Sequence, residues 1–177
     1  LVALLPTGVF RAEQAGSPWN MPLAATRKKL DDLCRKALLV DIEHNGCMYY
    51  CLPPPMAGFF EFSMMRVRND IDQKSLARLL YQYINLEKDF AHALFARGRT
   101  QLGRIFVNET QVEKAHCLNI AAHENAAQVI RSASHIGLTR CYCRHKMEHV
   151  GLGCDAPQNI CLVLNITAAS LVRHGHA

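Results

Sequence analysis

Apolar positions recur at helical spacing over residues 22–37. Leu23, Thr26, Leu30, Leu33, Cys34 and Ala37 fall on one side, and Arg27, Lys28, Lys29, Asp31, Asp32, Arg35 and Lys36 on the other. This predicts an amphipathic helix, with Asn20 as its cap and Pro22 in its first turn. Ahead of it, Leu1 to Leu5 reads as the end of a helix and residues 6–18 as an irregular loop. Behind it the pattern changes to two short runs, 38–43 and 47–52, flanking His44-Asn45-Gly46. Asn-Gly between apolar runs is a strong hairpin signal, because both turn positions need positive φ. A helix running straight into a hairpin predicts a winged-helix-like domain. Three prolines, Pro53 to Pro55, close it, since they continue neither a helix nor a central strand. The expected organisation is therefore a domain over 1–55 and a second over 56–177.

The second region reads as largely helical. Helices are predicted over 57–70 and 74–96, the latter with a broad stripe of Leu76, Leu79, Leu80, Tyr83, Ile84, Leu86, Phe90 and Leu94. Gly98 is read as its stop. A short strand is expected over 102–107, a helix over 122–136 stopped by Gly137, and a last helix over 161–174 with Gly175 as its stop. The fold class expected is mainly α, in the α+β class, with one short hairpin in the N-terminal domain and a cysteine-rich segment, 141–161, on the helical domain.

Composition changes this picture in two places. Half of the 177 residues are hydrophobic and a fifth are charged, as in ordinary globular proteins, so disorder is not indicated. The longest apolar runs are far too short to span a bilayer. No basic stretch with an apolar run and cleavage site opens the chain, and the chain starts at Leu1, so the native N-terminus is expected to be missing. The net charge of +5 is only mildly basic. Eight cysteines are the more informative count.

Four of the eight crowd into Cys141-Tyr142-Cys143-Arg144, Cys154 and Cys161. Disulfide geometry suits neighbouring alternate cysteines poorly, and a shared metal centre in a reducing, cytoplasmic setting explains the crowding better. If the segment is extended, Cys141 and Cys143 point to one side, roughly 6.5–7 Å apart. Gly151 and Gly153 let the chain turn back to bring in Cys154, and Pro157 stiffens the return to Cys161. His135, Arg140, Arg144, His145, Lys146 and His149 make the surroundings basic, which suits an anionic thiolate cluster. Zinc is the alternative ion, although Cys-x-Cys is tighter than the usual zinc spacing and Cys154 to Cys161 wider. Four reduced core thiols are the plainer alternative.

At this motif the chain resembles a family. Residues 126–161 are similar to the Cys-x-Cys-Arg region of modular bacterial and archaeal iron–sulfur proteins of the 4Fe-4S ferredoxin type. The run Leu52-Pro53-Pro54-Pro55-Met56-Ala57-Gly58-Phe59-Phe60-Glu61-Phe62 resembles that family's junction after the wing. The resemblance implies a 4Fe-4S cluster held by Cys141, Cys143, Cys154 and Cys161 beside Arg144, and electron transfer with a redox partner protein. Such proteins continue into two ferredoxin-type motifs that these residues lack, so the chain is expected to be a fragment or to lack that module.

Cys34, Cys47, Cys51 and Cys117 are expected to pack in cores. His174-Gly175-His176 reads as a helix stop with basic neighbours before it reads as a ligand pair. His92, His116 and His123 have no partner pattern. The basic side of the 22–37 helix is the recognition side of a winged-helix reader, but Asp31 and Asp32 interrupt it and the wing carries no Arg or Lys. Specific DNA binding is therefore not expected, and a docking role is; homo-oligomerisation is allowed. No nucleophile motif, phosphate-cradling loop or His-Glu-x-x-His helix marks an enzyme. The sequence thus predicts an iron–sulfur electron-transfer module or part of a larger redox protein. The alternative is a winged-helix transcriptional regulator with an iron–sulfur or zinc sensor.

Overall fold

The structure, a computed structural model, describes residues 2–54, 58–95 and 125–177. It is mainly helical with two small antiparallel hairpins, in the α+β class expected. The strand expected over 102–107, Gly98, Cys117, His116, His123 and the start of the 122–136 helix lie outside the described residues.

A short 3₁₀ turn, Val2–Leu4, leads to Phe10, which pairs with Tyr50 through two backbone hydrogen bonds of 2.9 and 2.8 Å. Helix α1 (Ala12–Trp19) follows where a loop was expected. Gly16, Ser17 and Pro18 look like breakers. Pro18, however, falls in the last turn, just before the helix ends anyway. A Cβ on Gly16 would come within 3.0 Å of Thr26 Oγ1, so glycine here permits the close approach of α2 (Leu23–Arg35). Asn20, expected to cap α2, instead ends α1 in the left-handed conformation at φ 50°, and Pro22 stands at the α2 N-cap. Of the predicted apolar side of α2, Thr26, Leu30, Leu33 and Cys34 are buried but Leu23 is exposed, and Thr26 is satisfied by the Pro22 carbonyl at 3.1 Å.

The hairpin is as expected: β1 (Val40–His44) pairs with β2 (Cys47–Cys51), with Asn45 and Gly46 at φ 49° and 72°. Phe10, Trp19, Leu30, Leu39 and Tyr50 make one core with α1 and α2. The order here is a bridged residue, two helices and a hairpin whose second strand pairs back to that residue. A second core crosses position 55, joining Ala37 and Val40 to Phe62, Met65 and Leu171.

The middle helices are shorter than predicted. The 57–70 helix reduces to α3 (Phe60–Met64). The next segment is strapped to the end of α2: Arg66 donates to the Arg35 carbonyl at 3.0 Å and Arg68 to the Lys36 carbonyl at 2.9 Å. Cations at a helix C-terminus are favourably placed. The predicted 74–96 helix is α4 (Gln73–Tyr81), a π turn (Gln82–Leu86), and α5 (Lys88–Phe95). The predicted stripe is only partly buried: Ala77 and Leu80 of α4 are buried, while Leu79 and, in the π turn, Tyr83 and Leu86 are exposed.

The C-terminal region departs furthest from expectation. Helix α6 (Ala126–Ser132), capped by Asn125, ends early, and the chain turns into β3 (Ile136–Arg140). Gly137, expected as a helix stop, sits inside this strand. A Cβ there would stand 2.8 Å from Ala177 Cβ and 2.9 Å from Val163 Cγ2. Helix α7 (Tyr142–His149) follows, then a loop, then β4 (Asn159–Leu164) pairing antiparallel with β3. The helix expected over 161–174 is therefore a strand first and then α8 (Asn165–Arg173). Asn165 makes the switch at φ 58°, its side chain accepting the Ser134 N–H at 3.0 Å. Gly175, at φ 70°, follows α8 as predicted.

Candidate metal centre

The four predicted ligands lie on or beside the second hairpin. Cys141 is the N-cap of α7 and Cys143 stands in its first turn. The segment is therefore helical, which corrects the expected extended Cys-x-Cys. Residues two apart in a helix diverge in direction. Cys161 lies on β4 opposite Thr139, half-buried. Cys154 is exposed on the loop between α7 and β4. That loop is pinned at its far end: the Cys141 N–H donates to the Gln158 carbonyl at 2.6 Å, and Arg144 donates to the Pro157 carbonyl.

Three of the thiols share a local field. Burial pushes the Cys143 thiol up, with a Tyr142 hydrogen bond opposing it and the charge of Cys141 adding to it. Burial likewise pushes Cys161 up, reinforced by Cys141 and Cys143. Glu61 sits in the same cluster, its carboxyl raised by burial against a hydrogen bond from Tyr142. Raised thiols are poor nucleophiles, so this cluster is not built like a catalytic cysteine. A metal here would displace their protons.

The predicted basic shell is mostly committed elsewhere. Arg140 pairs with Glu148 at 2.8 Å. His145 is buried and held below its ordinary pKa by that burial; its Nδ1 donates to the Met64 carbonyl at 2.7 Å. Its Nε2 is then the acceptor for His149 at 3.1 Å. Lys146, bonded to Asn85 at 3.2 Å, is the cation whose charge reaches Cys143.

A tetrahedral zinc ion with Zn–S bonds of about 2.3 Å holds its sulfurs roughly 3.8 Å apart. Among the described residues, no three of these four donors lie within 4.8 Å of one another. A cluster that gives each thiolate its own iron accepts a wider spread.

One trio does meet that limit, and the sequence did not single it out: Cys34, Asp41 and His174. Asp41 on β1 is buried. Ser170 donates to its Oδ1 at 2.6 Å, and Arg173 and His174 donate to Oδ2 at 2.6 and 3.0 Å. Burial alone would raise this carboxyl, but hydrogen bonds from His174, Ser170 and Arg173 outweigh it and hold the group well below the usual range. Cys34 is buried and its thiol is pushed far up by that burial. The partners lie 129 to 133 residues apart, so no local spacing announces them. An Asp inside Leu38-Leu39-Val40-Asp41-Ile42 was the available hint.

On the basic side of α2 two of the five cations are paired, while Lys28, Lys29 and Lys36 make no ion pair among the described residues. Arg35 pairs with Asp31 and Asp32, and Arg27 with Glu13 at 3.7 Å. Among the described residues, no helix is long and apolar enough to cross a membrane. No family model, curated protein or solved structure matches the chain.

Proposed function

We propose that Cys141, Cys143, Cys154 and Cys161 hold an iron–sulfur cluster of the 4Fe-4S type, in an electron-transfer module that serves a redox partner protein in a reducing, cytoplasmic compartment. The observation that supports this reading is the gathering of Cys141, Cys143 and Cys161 close enough for each to raise or be raised by a neighbour's charge. The pinned loop presents Cys154, exposed, between the two elements that carry the others. Lys146 offsets thiolate charge from within the fold, and Arg144 keeps the loop in place rather than touching a ligand. When bound, such a cluster supplies one-electron chemistry. The N-terminal region then serves as a docking unit, its basic α2 side broken by Asp31 and Asp32, which pair with Arg35.

Anaerobic purification followed by iron and acid-labile sulfide analysis tests this. Brown protein with broad visible absorption is expected, with iron lost on Cys→Ser change at any of the four positions and retained in Cys51→Ser. Colourless protein free of sulfide after anaerobic reconstitution sinks the reading and leaves the zinc-sensor regulator.

A further inference from the structure

We propose a second, independent metal site: Cys34, Asp41 and His174 form a mononuclear site for a zinc-class divalent ion, where α2, β1 and the end of α8 meet. The three donor atoms lie within 4.8 Å of one another. A tetrahedral ion with bonds of about 2.0–2.3 Å spaces its donors roughly 3.3–3.8 Å apart. The His174 Nε2 to Asp41 Oδ2 distance, 3.0 Å, is already close to that, so the ion replaces one shared hydrogen between them.

The donor set selects the class of ion. One thiolate, one imidazole and one carboxylate are a borderline-soft mixture that suits zinc better than calcium or magnesium, which take oxygen alone. Charge also balances. A thiolate and a carboxylate cancel the dication in a buried place, and binding releases the Cys34 thiol proton to solvent while the His174 ring proton moves to Nδ1. Arg173, on the same carboxylate, is itself paired with Glu43 at 3.3 Å.

The surroundings are those of a supported site. Ser170 fixes Oδ1 and Arg173 fixes Oδ2, so the carboxylate is oriented by outer partners. His176 donates from Nε2 to the Cys34 carbonyl at 3.2 Å, and its Nδ1 is buried without a hydrogen-bond partner. A cleft of about 420 Å³, lined in part by Asp41, Glu43, His135 and Arg173, gives solvent a way to the carboxylate. Three protein donors leave a fourth position open.

Cobalt(II) titration of the chelator-stripped full chain tests this, in a background where Cys141, Cys143, Cys154 and Cys161 are all serine. That background removes every ligand of the cluster reading, so failure of either reading shows separately. One equivalent is expected to bind with tetrahedral d–d bands and a thiolate-to-cobalt charge-transfer band. Cys34→Ser should abolish that band. His174→Gln keeps a donor for Asp41 but should weaken binding by roughly 100-fold, at least what loss of an outer partner costs. No binding, no thiolate band, or equal affinity in His174→Gln overturns the site. If the serine background does not fold, the rise in Tm with added zinc is compared for the otherwise native chain and its His174→Gln variant. A smaller rise in the variant supports the site, and equal rises overturn it.

Discussion

The two hairpins of this protein carry half-buried cysteines on their strands, Cys47 and Cys51 on one and Cys161 on the other, but differ in the thiols that flank them. The first, β1–β2, is closed by a two-residue turn and sealed against α8 by Asp41, Ser170, Arg173 and His174. Near it Cys34 is buried beneath the network. The second, β3–β4, is connected through the whole of α7 and its loop. It shows Leu138 and Leu162 to solvent, 56% and 46% exposed, although they face each other across the strands. Its thiols sit at the rim, Cys143 and Cys154 exposed. The same residue type is thus buried in one place and exposed in another. What differs is whether neighbouring elements close over it.

The sharpest way to break the first hairpin's seal is Asp41→Ala, measured with chelator present. Removing one member of a buried ion pair leaves its partners uncompensated and typically costs 3–5 kcal/mol. Arg173 remains about a third exposed and can rehydrate, so about 3 kcal/mol is expected. Urea unfolding should show a lower midpoint with an unchanged slope. A loss below about 0.5 kcal/mol would mean the network does not hold the two regions together.

Gly137→Ala probes the second hairpin. The added methyl meets Ala177 and Val163 inside 3.0 Å, so an overpacking cost of about 2 kcal/mol is expected. Gly8→Ala, with nothing within 4 Å of the new carbon, should fall within about 0.5 kcal/mol of the parent. Equal effects in the two variants would show that β3 is not packed as described.

The smallest expected effect sharpens the comparison by lying outside both hairpins. Hydrogen bonds from Arg68 at 2.9 and 2.7 Å hold the Asp70 carboxyl down at about 2. Its folded pKa lies below the unfolded value of about 3.9, so its contribution is full above pH 4 and is lost as pH falls toward 2. Asp70 is nearly half exposed, and solvent screening should keep that contribution under about 1 kcal/mol. Asp70→Asn should flatten stability against pH in that window and lower stability at pH 7 by that same contribution, under about 1 kcal/mol. A steeper acid loss in the variant contradicts the assignment.

Residues 22–52 were legible because their signals are local. The 3.6-residue period of α2 and the Asn45-Gly46 turn each need only their own neighbours to act. Helix α1 was not legible, since Gly16 serves contact with Thr26 rather than chain breaking. The strands at 136–140 and 159–164 were not foreseen for the same kind of reason, 136–137 being read as a helix end and 161–164 as a helix start. Gly137 resembles a helix stop until Val163 and Ala177 are known to lie against it.

The sequence by itself determined the fold class, the first hairpin, and which four cysteines crowd one segment. Only the tertiary structure decided that Cys141 caps a helix, that Lys146 rather than Arg140 or His145 reaches the thiols, and that Cys34 meets Asp41 and His174. Turn chemistry and helical period act over a few residues, whereas desolvation, ion pairing and ligand convergence depend on groups more than a hundred residues apart in the chain brought to within 5 Å.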